Sequence, residues 1–436
     1  MAARIASILL SVVLLCSSFI GCTATSATRP DNQKAAAVEE KERTTIINYW
    51  ASTESMALDL VYYKMCTDYE DANPDVKINL NMMTSNSDGI LKKMEDAKKG
   101  MEPEADVVML SLFALGDRAA AGEVIDLDGY VGKWEGQGDL SPSAIELGKY
   151  KGKIMGVGYY PSPELFAYRK DYFKEAGLDP AKPPKTWEEL AAMAEKLTVR
   201  DASGKVTRAG FDIPSVSRHI SHLEPFMRMN GARIVDPLTE EIDINGPAAV
   251  EAAEWMIALK NKNVSIPFSV QTYDVPFLKG NSAISQVKNM NITAMIKANP
   301  ELKEKIGFMP VPSRVTTGAF CGYKTLSIMK QSKSQEAAWK FIEYIMSKEQ
   351  MWNRYKAYGI VPVRKSLEKQ FIDIDPEFHQ KILEYIALGQ GKPIVSFVAK
   401  FNAYAGDAWE KMYKGEKNPQ NALQEVYDLQ MKDMKK

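Results

Sequence analysis

The chain has 436 residues, more than a single core of ordinary size accommodates, and so points to one large domain or two units of about 150–200 residues. Its 55 Lys plus Arg against 56 Asp plus Glu leave a formal charge of −1, with both signs scattered, which argues against a nucleic-acid partner. With 45% apolar and 25% charged residues it fits neither a disordered chain nor a polytopic membrane protein.

Arg4 precedes an apolar run, residues 5–20, that is shorter than the roughly 20 residues a bilayer-spanning helix needs, so the run reads as an export signal. It closes on Phe19-Ile20-Gly21-Cys22, which resembles the lipobox of bacterial lipoproteins, with Phe19 where that pattern usually has Leu. The resemblance implies a signal peptide over residues 1–21 and acylation of Cys22. Two or more acyl chains there suffice for stable anchoring to a membrane. Residues 22–43 carry no aromatic side chain and no apolar period, as a flexible tether requires. Beyond it only Cys66 and Cys321 remain, so no disulfide framework is available. His219, His222 and His379 form no metal-ligand pattern, and neither a metal nor a cofactor is expected.

Short apolar runs then alternate with helical stretches, the signature of an α/β sheet protein. Residues 45–50 form a β-rich run and 56–70 a helix. Residues 76–83 alternate as a second strand, 90–99 read as helix, and the continuous apolar run 106–112 fits a strand buried on both faces of a parallel sheet. Residues 153–158 make a Gly-broken strand, the Pro-rich 159–163 a stiff bend, and 165–169 a further strand. Thr186-Trp187-Glu188-Glu189 is a capping box opening a helix to Leu197. Strands follow at 210–213, 282–287, 307–311 and 323–329, with helices at 251–261, 334–346, 347–357, 376–388, 403–414 and 418–434.

An ordered set of phrases along this pattern carries a resemblance. It includes Ile46-Ile-Asn-Tyr-Trp50, Tyr69-Glu-Asp-Ala-Asn-Pro-Asp-Val-Lys77, Ala121-Gly-Glu-Val-Ile-Asp-Leu127, Phe166-Ala-Tyr-Arg-Lys-Asp-Tyr-Phe173, Pro183-Pro-Lys-Thr-Trp187, Phe277-Leu-Lys-Gly-Asn-Ser-Ala283, Glu336-Ala-Ala-Trp-Lys-Phe-Ile342 and Gly359-Ile-Val-Pro-Val-Arg364. The chain resembles the extracellular solute-binding proteins of bacterial ABC importers, in the cluster that holds the maltose- and oligosaccharide-binding proteins. The segment from Gln286 to Met290 lacks the Trp that often follows in sugar binders. The resemblance implies the two-lobed periplasmic-binding-protein fold (type II, Venus-flytrap), with a hinge and an interlobe cleft. Residues 44–158 plus 281–313 are expected as the N-terminal lobe, 165–280 plus 323–436 as the C-terminal lobe, and 159–164 and 314–322 as hinge crossovers. The implied role is capture of a sugar or oligosaccharide by a monomer, anchored outside the cell membrane or in the periplasm, that delivers its ligand to permease subunits. A non-sugar solute binder or a surface sensor or adhesin of the same fold is the alternative. An exported glycoside-active enzyme ranks last, because no nucleophile, phosphate-loop or metal motif is present.

Ligand in such a clamp lies beyond the strand ends. Candidates after the first strand are Trp50, Ser52 and Glu54, with Trp50 either a stacking platform or a core plug. Asn86 and Asp88 follow the second strand, either binding hydroxyls or capping the next helix, and Ser111 follows the third. Tyr160 and Glu164 lie in the crossover, while His222 and Glu224 follow the strand at 210–213. Asn289 follows the strand at 282–287, Phe320 and Gly322 sit at the second crossing, and Phe397 lies in a late Gly-rich loop region.

Overall fold

The computed structural model describes residues 45–84, 87–217, 220–270 and 274–435. The signal segment, the tether with Cys22, Asn86 and His219 lie outside the described residues.

The strands are β1 (Thr45–Thr53), β2 (Val76–Thr84), β3 (Val107–Ser111), β4 (Lys149–Tyr150), β5 (Lys153–Ile154), β6 (Val157–Arg169), β7 (Val199–Arg200), β8 (Val206–Phe211), β9 (Ser282–Lys288), β10 (Ile306–Phe308), β11 (Ala319–Ile328) and β12 (Gly389–Gln390). The main sheet runs β2-β1-β3-β11-β6-β9-β8-β7, with β10 added on β6 and β12 on β11, while β4 and β5 form a separate hairpin. β1 pairs in parallel with β2 and β3, with the helices Met56–Ala72 and Ser87–Lys98 between them in sequence. Ser55 caps the first of these helices by accepting the Leu58 N–H. β3 is buried along Val107–Leu110, as its uninterrupted apolar run demands.

Two strands run through both halves of this sheet. β11 pairs with β3 over Lys324–Ile328, whereas its start, Ala319 and Phe320, pairs with β12. β6 pairs with β11 over Val157–Glu164, then with β9 from Glu164 to Tyr168 and with β10 from Ala167 to Arg169. The crossings therefore lie in continuous strands. The stiff bend expected at 159–163 is instead the middle of β6. Pro161 and Pro163 lie opposite Tyr323 and Cys321, and because they have no N–H these must be non-hydrogen-bonded pairs of the antiparallel ladder. β9 joins the other edge of β6 only at Glu164, so the ladder there loses nothing to the prolines.

The pairing corrects the expected grouping of the later segments. β9 lies between β6 and the parallel β8, so 281–313 goes with 165–280 and not with the first 158 residues. The helices Gln335–Ile345 and Lys348–Tyr358 pack on β1 and on Met56–Ala72, where Phe341 meets Tyr49 and Tyr69 with ring centroids 5.4 and 5.0 Å apart. These helices belong to the first half. The chain then returns to the second half, where Tyr385 of the helix Pro376–Leu388 accepts the Phe166 N–H at 3.2 Å and donates to the Met309 carbonyl at 3.1 Å. β11 (Ala319–Ile328) overlaps the end of the expected crossover 314–322 and continues past it. Cys66 and Cys321 are free and buried.

Candidate functional site

Paired residues on neighbouring strands share a face and alternate residues point oppositely. Tyr160, Ser162 and Glu164 of β6 therefore share one face with Lys324, Gly322 and Phe320 of β11, which lie directly opposite them. Ser111 extends that face on the β3 side through its pairing with Lys324, and Lys288 extends it on the β9 side through its pairing with Glu164. Residues of both halves thus meet on the strands that join them.

At the first-half end the Lys324 ammonium donates to Ser52 Oγ at 2.7 Å, pairs with the Glu54 carboxylate and lies 5.2 Å from the Tyr160 ring centroid. Burial pushes this ammonium down to about 7. Tyr160 Oη donates to Met290 Sδ at 2.7 Å, which ties the strand to the helix Asn289–Ala298 of the second half. Asn289 opens that helix at 1% exposure, and neither of its amide atoms has a partner.

At the other end the Glu224 carboxylate and the Lys392 ammonium form an ion pair, both side chains exposed by 2% or less. Burial drives the Lys392 pKa down and Glu224 opposes it. Burial also lifts Glu164 to about 7, against the pull of Lys288 and Lys392 and with a push from Glu224. Arg228, one turn beyond Glu224 on the helix Glu224–Met229, donates to Gln390 Oε1 at 2.5 Å. Lys392 also sits 5.9 Å from the Phe113 ring centroid of the first half. Its loop approaches the helix Leu112–Ala120 so closely that a Cβ on Gly116 would lie 2.4 Å from the Val395 carbonyl oxygen.

Of the sequence candidates, Ser52, Glu54, Ser111, Tyr160, Glu164, Glu224, Asn289, Phe320 and Gly322 are brought to this face or its two ends. Trp50 is not. It is 2% exposed and lies with Met94, Ala97 and Ala105 on the side of Ser87–Lys98, so it plugs the core. His222 meets Trp409 edge-on with centroids 4.4 Å apart, within the second half's helices. Phe397 is 8% exposed and stands at the start of the helix Val398–Lys414 against Phe401. Asp88 falls inside the helix Ser87–Lys98. Sequence reasoning missed the cations Lys324, Arg228 and Lys392. Lys324 had a signal, being the sole charge in the apolar run of β11; a lysine between Gly391 and Pro393 does not differ from a solvated loop.

Comparison with known proteins bears on these features together. Residues 64–382 match the family model described as bacterial extracellular solute-binding protein. The chain belongs to that family, whose members bind solutes outside the cytoplasm. The sn-glycerol-3-phosphate-binding periplasmic protein UgpB of Escherichia coli K12 is 24% identical over 297 residues, 62% of this chain and 65% of its own. Among solved structures, the substrate-binding protein Lmo0181 of Listeria monocytogenes in complex with cycloalternan is 23% identical with a TM-score of 0.74, covering 90% of this chain and 99% of its own. The sugar-binding protein MalE of Xanthomonas citri is 18% identical with a TM-score of 0.75, covering 87% and 95%. The fold is accordingly the two-lobed α/β solute-binding fold. No helix among the described residues is long and apolar enough to cross a membrane.

Proposed function

We propose that the protein is the substrate-binding subunit of an ABC importer, that it captures a mono- or oligosaccharide between its lobes, and that it releases the sugar chemically unchanged. The observation that carries this reading is a set of polar atoms on or beside the shared face that are buried without partners: Ser111 Oγ, Ser162 Oγ, both amide atoms of Asn289 and Glu224 Oε2. Buried polar groups need partners. A polyol offers donors and acceptors in alternation, and Tyr160 supplies an aromatic surface beside them. That structures of this fold hold cycloalternan and α-D-tagatose supports the choice of ligand. The lobes we infer are 45–160 with 324–363, and 164–319 with 376–435, joined through β6 and β11. Cys22 would carry the lipid anchor outside the membrane, so Cys22→Ala should release the protein from the membrane fraction.

A sugar panel in a thermal-shift assay tests the reading, since a ligand of the folded state raises the melting temperature. The Asn289→Ala and Tyr160→Ala variants should each weaken the best sugar by roughly tenfold or more, about 1.4 kcal/mol, and mass spectrometry should recover that sugar intact. Cleaved sugar, or no response to any sugar, overturns it. A second reading, an anionic solute, is favoured by the three cations Lys324, Arg228 and Lys392, and by the similarity to a glycerol-phosphate binder. A shift with sugar phosphates and none with the parent sugars would select it.

A further inference from the structure

Between β6 and the helix Lys348–Tyr358 a buried cation lies among hydroxyl groups. Arg354, on the helix Lys348–Tyr358, is 0% exposed, and so are Tyr49, Tyr62 and Tyr159 around it. Its guanidinium carbon is 4.7 Å from the Tyr159 ring centroid, and Nη2 donates to the Ile345 carbonyl at 3.1 Å. Nε and Nη1 have no partner, nor does Tyr49 Oη. The Tyr62 and Tyr159 hydroxyls share one hydrogen bond at 3.2 Å, so one of the two keeps its own O–H to donate. Burial raises the pKa of all three tyrosines, which keeps them neutral donors rather than counter-charges. Among the described residues no carboxylate pairs with Arg354. Asp59 bears on this cluster through Tyr62; its Oδ2 is taken by the Thr53 hydroxyl, and its Oδ1 is buried without a partner.

An ionised side chain in such surroundings is costly unless a counter-charge and hydrogen bonds compensate it. Even with the hydroxyl oxygens and Asp59 Oδ1 counted as acceptors, the remaining guanidinium N–H and free O–H donors are in excess, and no carboxylate pairs with the guanidinium itself. A water could accept two of these hydrogen bonds and would leave the charge uncompensated. A monatomic anion accepts from all of them and neutralises it. We propose that Arg354 and the hydroxyls of Tyr49, Tyr62 and Tyr159 hold a halide, chloride under ordinary conditions, between β6 and the helix Lys348–Tyr358. The proposal is independent of what the cleft binds.

Thermal unfolding of the ligand-free mature protein in sodium chloride and in sodium gluconate, both near 0.15 M so that screening is matched, reads the site. The midpoint should be higher in chloride by roughly 2 °C or more, bromide should substitute, and Arg354→Met should abolish the difference between salts. Should Arg354→Met fail to fold, Tyr49→Phe keeps the cluster's charge and should raise the half-saturating halide concentration several-fold. Crystals soaked in bromide should show an anomalous peak beside Arg354 Nε. Equal midpoints in the two salts, a difference that survives Arg354→Met, or only water at that position would each overturn the proposal.

Discussion

The Glu224–Lys392 pair offers the sharpest test of how tightly the site is enclosed. Both side chains are exposed by 2% or less, and Glu224 Oε2 has no other partner. Lys392→Met keeps most of the side-chain volume and deletes the charge, leaving a carboxylate in a site that water does not reach. Breaking a buried pair from one side costs about 3–5 kcal/mol. Arg228, whose own pKa is lowered by burial and raised by Glu224, offsets part of that loss, so about 3 kcal/mol is expected. Replacing both partners, Glu224→Leu with Lys392→Met, removes the uncompensated charge and should lie within about 1 kcal/mol of the parent, or above it. Urea unfolding of the four proteins at pH 7, stripped of ligand, closes the cycle, and a coupling energy of at least about 2 kcal/mol is the expected result. A Lys392→Met loss below about 1 kcal/mol, or a double variant as unstable as the two single losses added, would mean that solvent screens the pair and that the enclosure argued here is wrong.

The remaining predictions address pH, closure and packing. Burial lifts Asp212 from 3.8 to about 7, so the folded chain holds that proton more tightly than the unfolded one, and stability should fall as pH rises from about 4 to 7. Asp212→Asn removes a penalty on the order of 4 kcal/mol at most; its advantage in urea should be present at pH 8 and gone near pH 4, and an equal effect at both would refute the assignment. Glu240, from the second half, accepts the Ser396 N–H at 2.8 Å and pairs with Lys151 of the β4–β5 turn at 3.3 Å. Glu240→Ala should loosen the two halves, raising the ligand-free radius of gyration in X-ray scattering and weakening ligand several-fold, and unchanged scattering with unchanged affinity would rule the tie out. Trp50→Phe should leave ligand affinity within twofold while costing roughly 1–3 kcal/mol of stability, whereas a large loss of affinity at intact stability would return Trp50 to the cleft.

Much of the scaffold was legible because its signals are local. The run 106–112 could only be a strand buried on both faces, and Thr186 accepts the Glu189 N–H at 3.2 Å as its capping box implied. What the sequence withheld is the direction in which a side chain points when both faces of a strand are buried. In β1, Tyr49, Trp50, Ala51 and Ser52 are all buried, so burial does not mark out Ser52, which Lys324 reaches, from Trp50, which packs against Met94, Ala97 and Ala105. The two prolines of β6 misled for a related reason: Pro breaks a ladder only where its N–H is needed, and that depends on where β9 begins. The grouping of 281–313 and of the helices after 334 was illegible in principle, since a chain that crosses twice leaves no local mark of the half to which it returns.

On the proposed function, that crossing explains why the site lies where it does. An open α/β sheet places ligands beyond the carboxyl ends of its parallel strands, and joining two mixed sheets by continuous strands brings both sets of ends to one line. Tyr160, Ser162 and Glu164 on β6, with Phe320, Gly322 and Lys324 on β11, lie along that line. They are also the residues whose backbone must flex if the halves move. A group bound to their side chains is therefore bound to the hinge itself, and its affinity differs between open and closed states without any relay. A ligand shifts such an equilibrium only by its differential affinity for the two states. Lys324 and Tyr160 contact each other across β6 and β11; Lys324 is held by Ser52 of the first half and Tyr160 meets Met290 of the second, so a substitution at either should change ligand affinity and closure together if the proposed function holds.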